Sequence, residues 1–237
     1  MQRKTARIPL RALIVALIVQ GAAIAGTVED WQTFEAAVRD GNIAKQEASD
    51  KLRTLAPELS SDLISRFSFR TSSWVFPLEG RGIGSVNKAD YKPHAYYGPY
   101  GIKGYNFFDG DKHGGHPAYD VFVGKNKKGE TVNALAMQDC VALSVNTGWK
   151  RGDKLRGGNY VWLYNPREGK FFYYAHLKDI YVKPGEFVAA GGAIGSVGRT
   201  GLLADSKASP THTHVMVLDY NSGEMTPFDY YNNIRGK

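Results

Sequence analysis

Histidine changes charge near neutral pH and ligates zinc through either ring nitrogen. The six histidines of this 237-residue chain are unevenly placed, and four of them fall in three short patterns. His116-Pro117-Ala118-Tyr119-Asp120 sets a His and an Asp four positions apart at a loop-to-strand junction. Tyr174-Ala175-His176-Leu177 closes a predicted strand, and His212-Thr213-His214 separates two His by one residue. Side chains of a strand alternate with period two, so this last pair puts both imidazoles on one face. A core rarely wants two rings there. A catalytic zinc takes three nitrogen or oxygen ligands and leaves its fourth position to water. Each pattern alone is weak, since a single His is usually a hydrogen-bonded structural residue; together they predict a metal site. The chain has no H-E-x-x-H glutamate to act as a base. A histidine, which titrates in the useful range, is the candidate instead.

Such side chains need a rigid scaffold, and the surrounding sequence supplies one. From Ser72 onward, short β runs alternate with Gly and Pro, and strands are predicted over 131–137, 141–145, 160–164, 170–175, 193–197 and 213–218. Asn165-Pro166-Arg167-Glu168-Gly169 reads as a hairpin loop, and Lys183-Pro184-Gly185-Glu186 as a type II turn. The expected fold is mainly β, an antiparallel sheet or barrel-like sandwich, with a short helical segment before it. In that segment Trp31, Phe34 and Val38 repeat at helical spacing behind a Thr27–Asp30 capping box, and Gly41 stops the helix. A second helix is expected over 43–55, and Pro57 opens a third that ends near Phe67. The segment reads either as a charged hairpin docked on the main domain or as a regulatory, partner-binding pro-segment.

The N-terminus carries Arg3, Lys4, Arg7 and Arg11 without an acid, then an apolar run over 12–19 and the A-x-A sequence Ala23-Ile24-Ala25. This is the form of a secretory signal peptide cut near Gly26; Gln20 and Gly21 interrupt it too early for a spanning helix. The expected organisation is therefore a signal peptide over 1–25, a helical accessory or pro-segment over 26–70, and the metal-site domain over 71–237. Membrane contact is expected only through the signal peptide during export. The single cysteine, Cys140, excludes a disulfide framework and reads as a small core residue. A hydrophobic fraction of 43% marks a folded chain, and 27 glycines favour turn-rich β structure. The net charge of +7 suits an anionic partner. With no basic block interleaved with aromatics and no DNA-binding motif, nucleic acid is not the expected one.

The ordered set H-x3-D, Y-A-H-L and H-x-H resembles the M23 family of metallopeptidases, the lysostaphin-type or LytM-like endopeptidases. The stretch Val182-Lys183-Pro184-Gly185-Glu186-Phe187-Val188 through Gly191-Gly192, then Ile194-Gly195-Ser196-Val197-Gly198, is similar to the family's turn and strand before H-x-H. Pro227, Tyr230 and Tyr231 resemble its closing segment, so the likeness spans about 76–231. It implies one Zn2+ bound by His116, Asp120 and His214, with His176 and His212 flanking the attacked carbonyl and the water. Which of those two is the base stays open. It further implies an exported endopeptidase, in the periplasm, cell envelope or outside the cell, that hydrolyses peptide stems or cross-links of peptidoglycan.

Two positions depart from the family pattern: Val215-Met216-Val217 is wholly apolar where an acid is usual, and Asp139-Cys140 stands where Asp-Gly is common. A non-catalytic, wall-binding or hydrolase-activating relative is the alternative, and the complete five-residue set argues against it. A lipoyl- or biotinyl-type carrier would share the V-K-P-G-E-F-V stretch but needs a D-K-A or M-K-M lysine, which is missing. His94 reads as a loop residue, His113 as a substrate-side or solvent residue, and Asp109 with Asp111 as an incomplete calcium-loop fragment. The loop 96–101 reads either as a packed surface loop or as part of the groove.

Overall fold

Two helices, residues 26–39 (α1) and Lys45–Arg66 (α2), precede the sheet in the computed structural model, which describes residues 26–70, 74–93, 116–124, 131–221 and 224–237. The strands are β1 (Ala118–Phe122), β2 (Asn133–Leu135), β3 (Cys140–Asn146), β4 (Asn159–Asn165), β5 (Lys170–Ile180), β6 (Phe187–Val188), β7 (Ala193–Val197), β8 (His212–Asn221) and β9 (Glu224–Pro227). A short helix α3 (Tyr231–Ile234) follows. The predicted signal peptide, His94, His113, Asp109, Asp111 and the loop 96–101 lie outside the described residues.

Every strand pair is antiparallel, and the main path runs β1-β8-β5-β4-β3-β6, with β7 and then β2 branching from β5 and β9 flanking β8. The mainly β, antiparallel expectation is met, but the sheet stays open and does not close into a barrel. One of its faces is covered by helices instead. Strand β4 shows the consequence, because all seven of its residues are buried. Tyr160, Trp162 and Tyr164 join the cluster that contains α1 and α2, while Val161 and Leu163 join the cluster on the opposite face. That is the two-residue period of a strand caught between two apolar layers.

The helical layer belongs to the core. Leu52, Ala56, Leu59 and Leu63 of α2, at helical spacing, are almost wholly buried, as are Trp31 and Phe34 of α1. Trp31 stacks on Phe171 with centroids 4.7 Å apart and meets Trp162 edge-on at 6.4 Å. The apolar run Val215-Met216-Val217 now has a cause. Val215 and Val217 face the second cluster and Met216 faces the helices, so an acid at Met216 would be buried without water. Burying a methionine there is worth about 1.5–3 kcal/mol.

Two helix expectations need correction. Thr27 lies inside α1 and its hydroxyl donates to Asp62 of α2 at 2.8 Å, where a capping box with Asp30 was expected. Pro57 does not begin a new helix; it lies inside the continuous α2. A mid-helix proline costs about 3 kcal/mol, and here the burial of Leu52, Leu55, Ala56 and Leu59 around it offsets that cost. Cys140 is fully buried in β3, as expected of a core residue. Asp139, just before it, is a hub. Its Oδ2 accepts from the Arg70 amide (2.8 Å) and Nε (2.9 Å), and its Oδ1 accepts from Arg70 Nη2 (2.6 Å) and the Ala190 amide (2.8 Å). The carboxylate thus ties the segment leaving the helices to the turn between β6 and β7.

Candidate metal centre and catalytic histidines

The site forms where β5 changes partner. Ala175 lies opposite His214 on β8, whereas Leu177 lies opposite Val197 on β7. His176, between them, has a φ of 64°, a left-handed backbone that a non-glycine residue seldom adopts. Its amide donates to the Gly157 carbonyl (2.8 Å) and its carbonyl accepts from the Gly198 amide (2.9 Å), so its main chain bonds to loops instead of the β8 ladder. On the other side of β8, Asp120 lies opposite His214 and Phe122 opposite His212. His116 sits four residues earlier, just before β1, bridged to Lys92.

These pairings bring all five sequence-predicted residues together. His116 Nε2 and His214 Nδ1 each lie 3.3 Å from Asp120 Oδ1, and the two nitrogens lie 3.0 Å apart. Ligands held tetrahedrally at about 2.0–2.2 Å from an ion stand about 3.3–3.6 Å from one another. The triangle therefore has the size and the donor chemistry of a three-ligand zinc site. Next to it, the His176 and His212 rings have centroids 4.9 Å apart, and His212 Nε2 lies 3.8 Å from the second Asp120 oxygen.

Main-chain carbonyls set the ring orientations. A carbonyl only accepts, so the facing ring nitrogen must carry the proton. His116 Nδ1–H donates to the Asp90 carbonyl (3.0 Å), His176 Nδ1–H to that of Thr200 (2.8 Å) and His212 Nδ1–H to that of Pro210 (2.7 Å). In each neutral ring Nε2 is left bare, as a ligand or base requires.

Charge follows the same layout. Burial would raise the Asp120 carboxyl, but hydrogen bonds from His116 and His214 outweigh it and hold the group well below the usual carboxylate range. Burial would lower His116, and the Asp120 carboxylate overrides it to raise the ring. His214 is lowered, first by burial. His176 is pushed down to about 3 by burial, with His214 and His212 adding to the effect.

Sequence reasoning missed the three carbonyls, of Asp90, Thr200 and Pro210, because a main-chain acceptor has no residue signature. It also ended β5 at Ala175. The Gly198-Arg199-Thr200-Gly201 run, with glycines at both ends, was the available sign that a tight loop comes close there.

Residues 116–227 match the profile of peptidase family M23. The β domain belongs to that family. Among solved structures the chain is similar to the catalytic domain of the antimicrobial peptidase lysostaphin from Staphylococcus simulans, at 22% identity over 61% of this chain and 90% of that one, with a TM-score of 0.39. It is similar to lysostaphin itself at 24% identity, covering 64% of this chain and 52% of that one (TM-score 0.40). A zinc containing peptidase from Vibrio cholerae matches at 21% identity over 61% of this chain and 38% of that one (TM-score 0.36). The chain thus spans about half of the second and less of the third. No curated protein matches. The five site residues named from the sequence, His116, Asp120, His176, His212 and His214, lie together here, and the helical layer over residues 26–66 lies outside the matched region.

Proposed function

We propose that this M23 peptidase is an exported, zinc-dependent endopeptidase that hydrolyses peptide stems or cross-links of peptidoglycan. The observation that carries the reading is the donor triangle of His116, Asp120 and His214, 3.0–3.3 Å on its sides, beside two further histidines whose Nε2 atoms are bare. His116 Nε2, Asp120 Oδ1 and His214 Nδ1 would hold one zinc ion. When bound, the ion lowers the pKa of a coordinated water to about 7 and polarises the carbonyl under attack.

The chain's own residues supply the proton traffic. With Nδ1–H of His212 and of His176 engaged by carbonyls, either Nε2 can accept the one proton that water gives up as the water oxygen adds to the peptide carbonyl carbon. The protonated ring then donates that proton to the leaving amine as the C–N bond breaks. Asp120 is held in its ionised form, as a carboxylate ligand requires.

The net charge of +7 is suited to an anionic wall, and the A-x-A pattern at Ala23-Ile24-Ala25 supports export with residues 1–25 removed. No described helix is long and apolar enough to cross a membrane. In this reading the domain proper covers 71–237, and the accessory segment 26–70 stays attached, because its side chains share one core with the sheet. The test is zinc content together with release of muropeptides from purified sacculi, for wild type and His116→Ala. Expected are one zinc per wild-type chain with cleavage, and neither in the variant. Equal zinc in both proteins, or intact sacculi after wild-type treatment, would overturn the proposal.

A further inference from the structure

His176 is held in an unfavourable backbone conformation by groups to which the motif assigns no role. A left-handed non-glycine residue is a conformation that persists only where its surroundings over-determine it. Here the surroundings are two loops, 156–158 and 198–201, pressed together around the ring. Gly201, at φ 111°, leaves no room for a side chain: a Cβ would stand 2.2 Å from the Arg156 carbonyl oxygen and 2.9 Å from His176 Nδ1. Gly158, at φ 66°, faces it, and a Cβ there would stand 2.3 Å from the Thr200 carbonyl carbon. Between them lies Thr200. Its carbonyl accepts from His176 Nδ1–H at 2.8 Å. Its hydroxyl donates to the Leu177 carbonyl and accepts from the Asn159 amide, both at 2.8 Å. Thr200 therefore bonds to the ring of residue 176, to the main chain of the next residue, and to the start of the neighbouring strand.

We propose that Thr200, with Gly201, is a positioning residue for catalysis: it fixes the His176 ring in the Nδ1–H tautomer with Nε2 free. The inference rests on the reading of His176 as a proton-accepting group of the peptidase. A purely structural loop would need neither a histidine at 176 nor a carbonyl aligned with its Nδ1. Glycine or asparagine would take the left-handed backbone at lower cost.

The test uses full-length wild type, Thr200→Val, Thr200→Ser and Gly201→Ala. Each is measured for zinc content, melting temperature, and kcat and KM for release of muropeptides from purified sacculi. Thr200→Val, which removes both hydroxyl bonds, is expected to lose about tenfold in kcat with zinc content and KM unchanged. Thr200→Ser, which keeps them, should stay within about twofold of wild type. Gly201→Ala, which forces the ring aside, should lose about a hundredfold, the scale of an ångström of misplacement. Should Gly201→Ala fail to fold, the threonine pair still decides the matter. Wild-type kcat in a zinc-loaded Thr200→Val protein, or a Thr200→Ser protein as impaired as Thr200→Val, overturns the proposal. A second readout is independent of peptidase activity: histidine ¹⁵N shifts of the metal-free protein. They should show His176 as the Nδ1–H tautomer in wild type and as a tautomer mixture in Thr200→Val. The same tautomer in both proteins contradicts the positioning role. An inactive wild type would refute the peptidase reading and leave this tautomer comparison standing.

Discussion

His214 and Met216 are two residues apart on β8 and point to the same face of one sheet, yet their surroundings are opposite. Met216, with Tyr173 and Trp162 beside it, is sealed under α1 and α2. His214, with Asp120 and His212 beside it, lies in the row that the helices leave for chemistry. The alternation of the strand carries both rows. The lesson is that one sheet face serves as core at one end and holds the candidate metal site at the other. The covered end is built from dispersion and apolar burial. The other end is built from polar groups: His116, His176 and His212 each meet a main-chain carbonyl through Nδ1, and His214 Nδ1 meets Asp120.

The largest effect that should sharpen this contrast is on activity. His214→Ala is expected to abolish zinc binding and peptide release while leaving the metal-free protein folded; a variant that still retains zinc would break the comparison. Next, His212→Ala should keep its zinc and lose about 10²–10⁴-fold in kcat, the usual contribution of a general base. Zinc loss in that variant would make His212 part of the metal site and not a base. Met216→Ala should do the reverse of His214→Ala. It should cost about 2–5 kcal/mol of stability by denaturant unfolding and leave kcat per folded molecule unchanged.

The smallest effect concerns acid. The hydrogen bonds from Arg70 hold the Asp139 carboxyl down at about 2, below its ordinary 3.8. A depressed carboxyl contributes stability that is fully present above pH 3.8 and is lost as pH falls through about 2. Asp139→Asn should therefore lower stability at neutral pH and flatten the acid limb of unfolding between those values. An unchanged acid limb would mean that the hub does not couple the helical layer to the sheet as described.

How much of this was legible beforehand depended on where the signal lay. The two His of H-x-H could be placed on one face because strand parity is written in the spacing. The opposition of Asp120 to His214 could not, since register is set by pairing across 94 residues of chain. Strand β7 was read with its exact bounds, because Gly192 and Gly198 flank a β-rich run. The passage of β5 through His176 was not, because the left-handed residue there is imposed by the loops at 157 and 198–201. Pro57 misled for a similar reason. Local propensity ends a helix at proline, and only the buried face of α2 explains why this one continues. The two departures from the family pattern, at Met216 and Asp139, lie where the sheet meets the helical layer and the segment that leaves it.

X-ray absorption at the zinc edge on protein purified without added metal tests the central claim most directly. The account predicts one zinc per chain with two imidazole nitrogens and one carboxylate oxygen among its ligands, all at about 2.0–2.2 Å, and an unoccupied zinc edge in Asp120→Ala. A spectrum requiring sulfur, or one unchanged by Asp120→Ala, would place any metal elsewhere and contradict it.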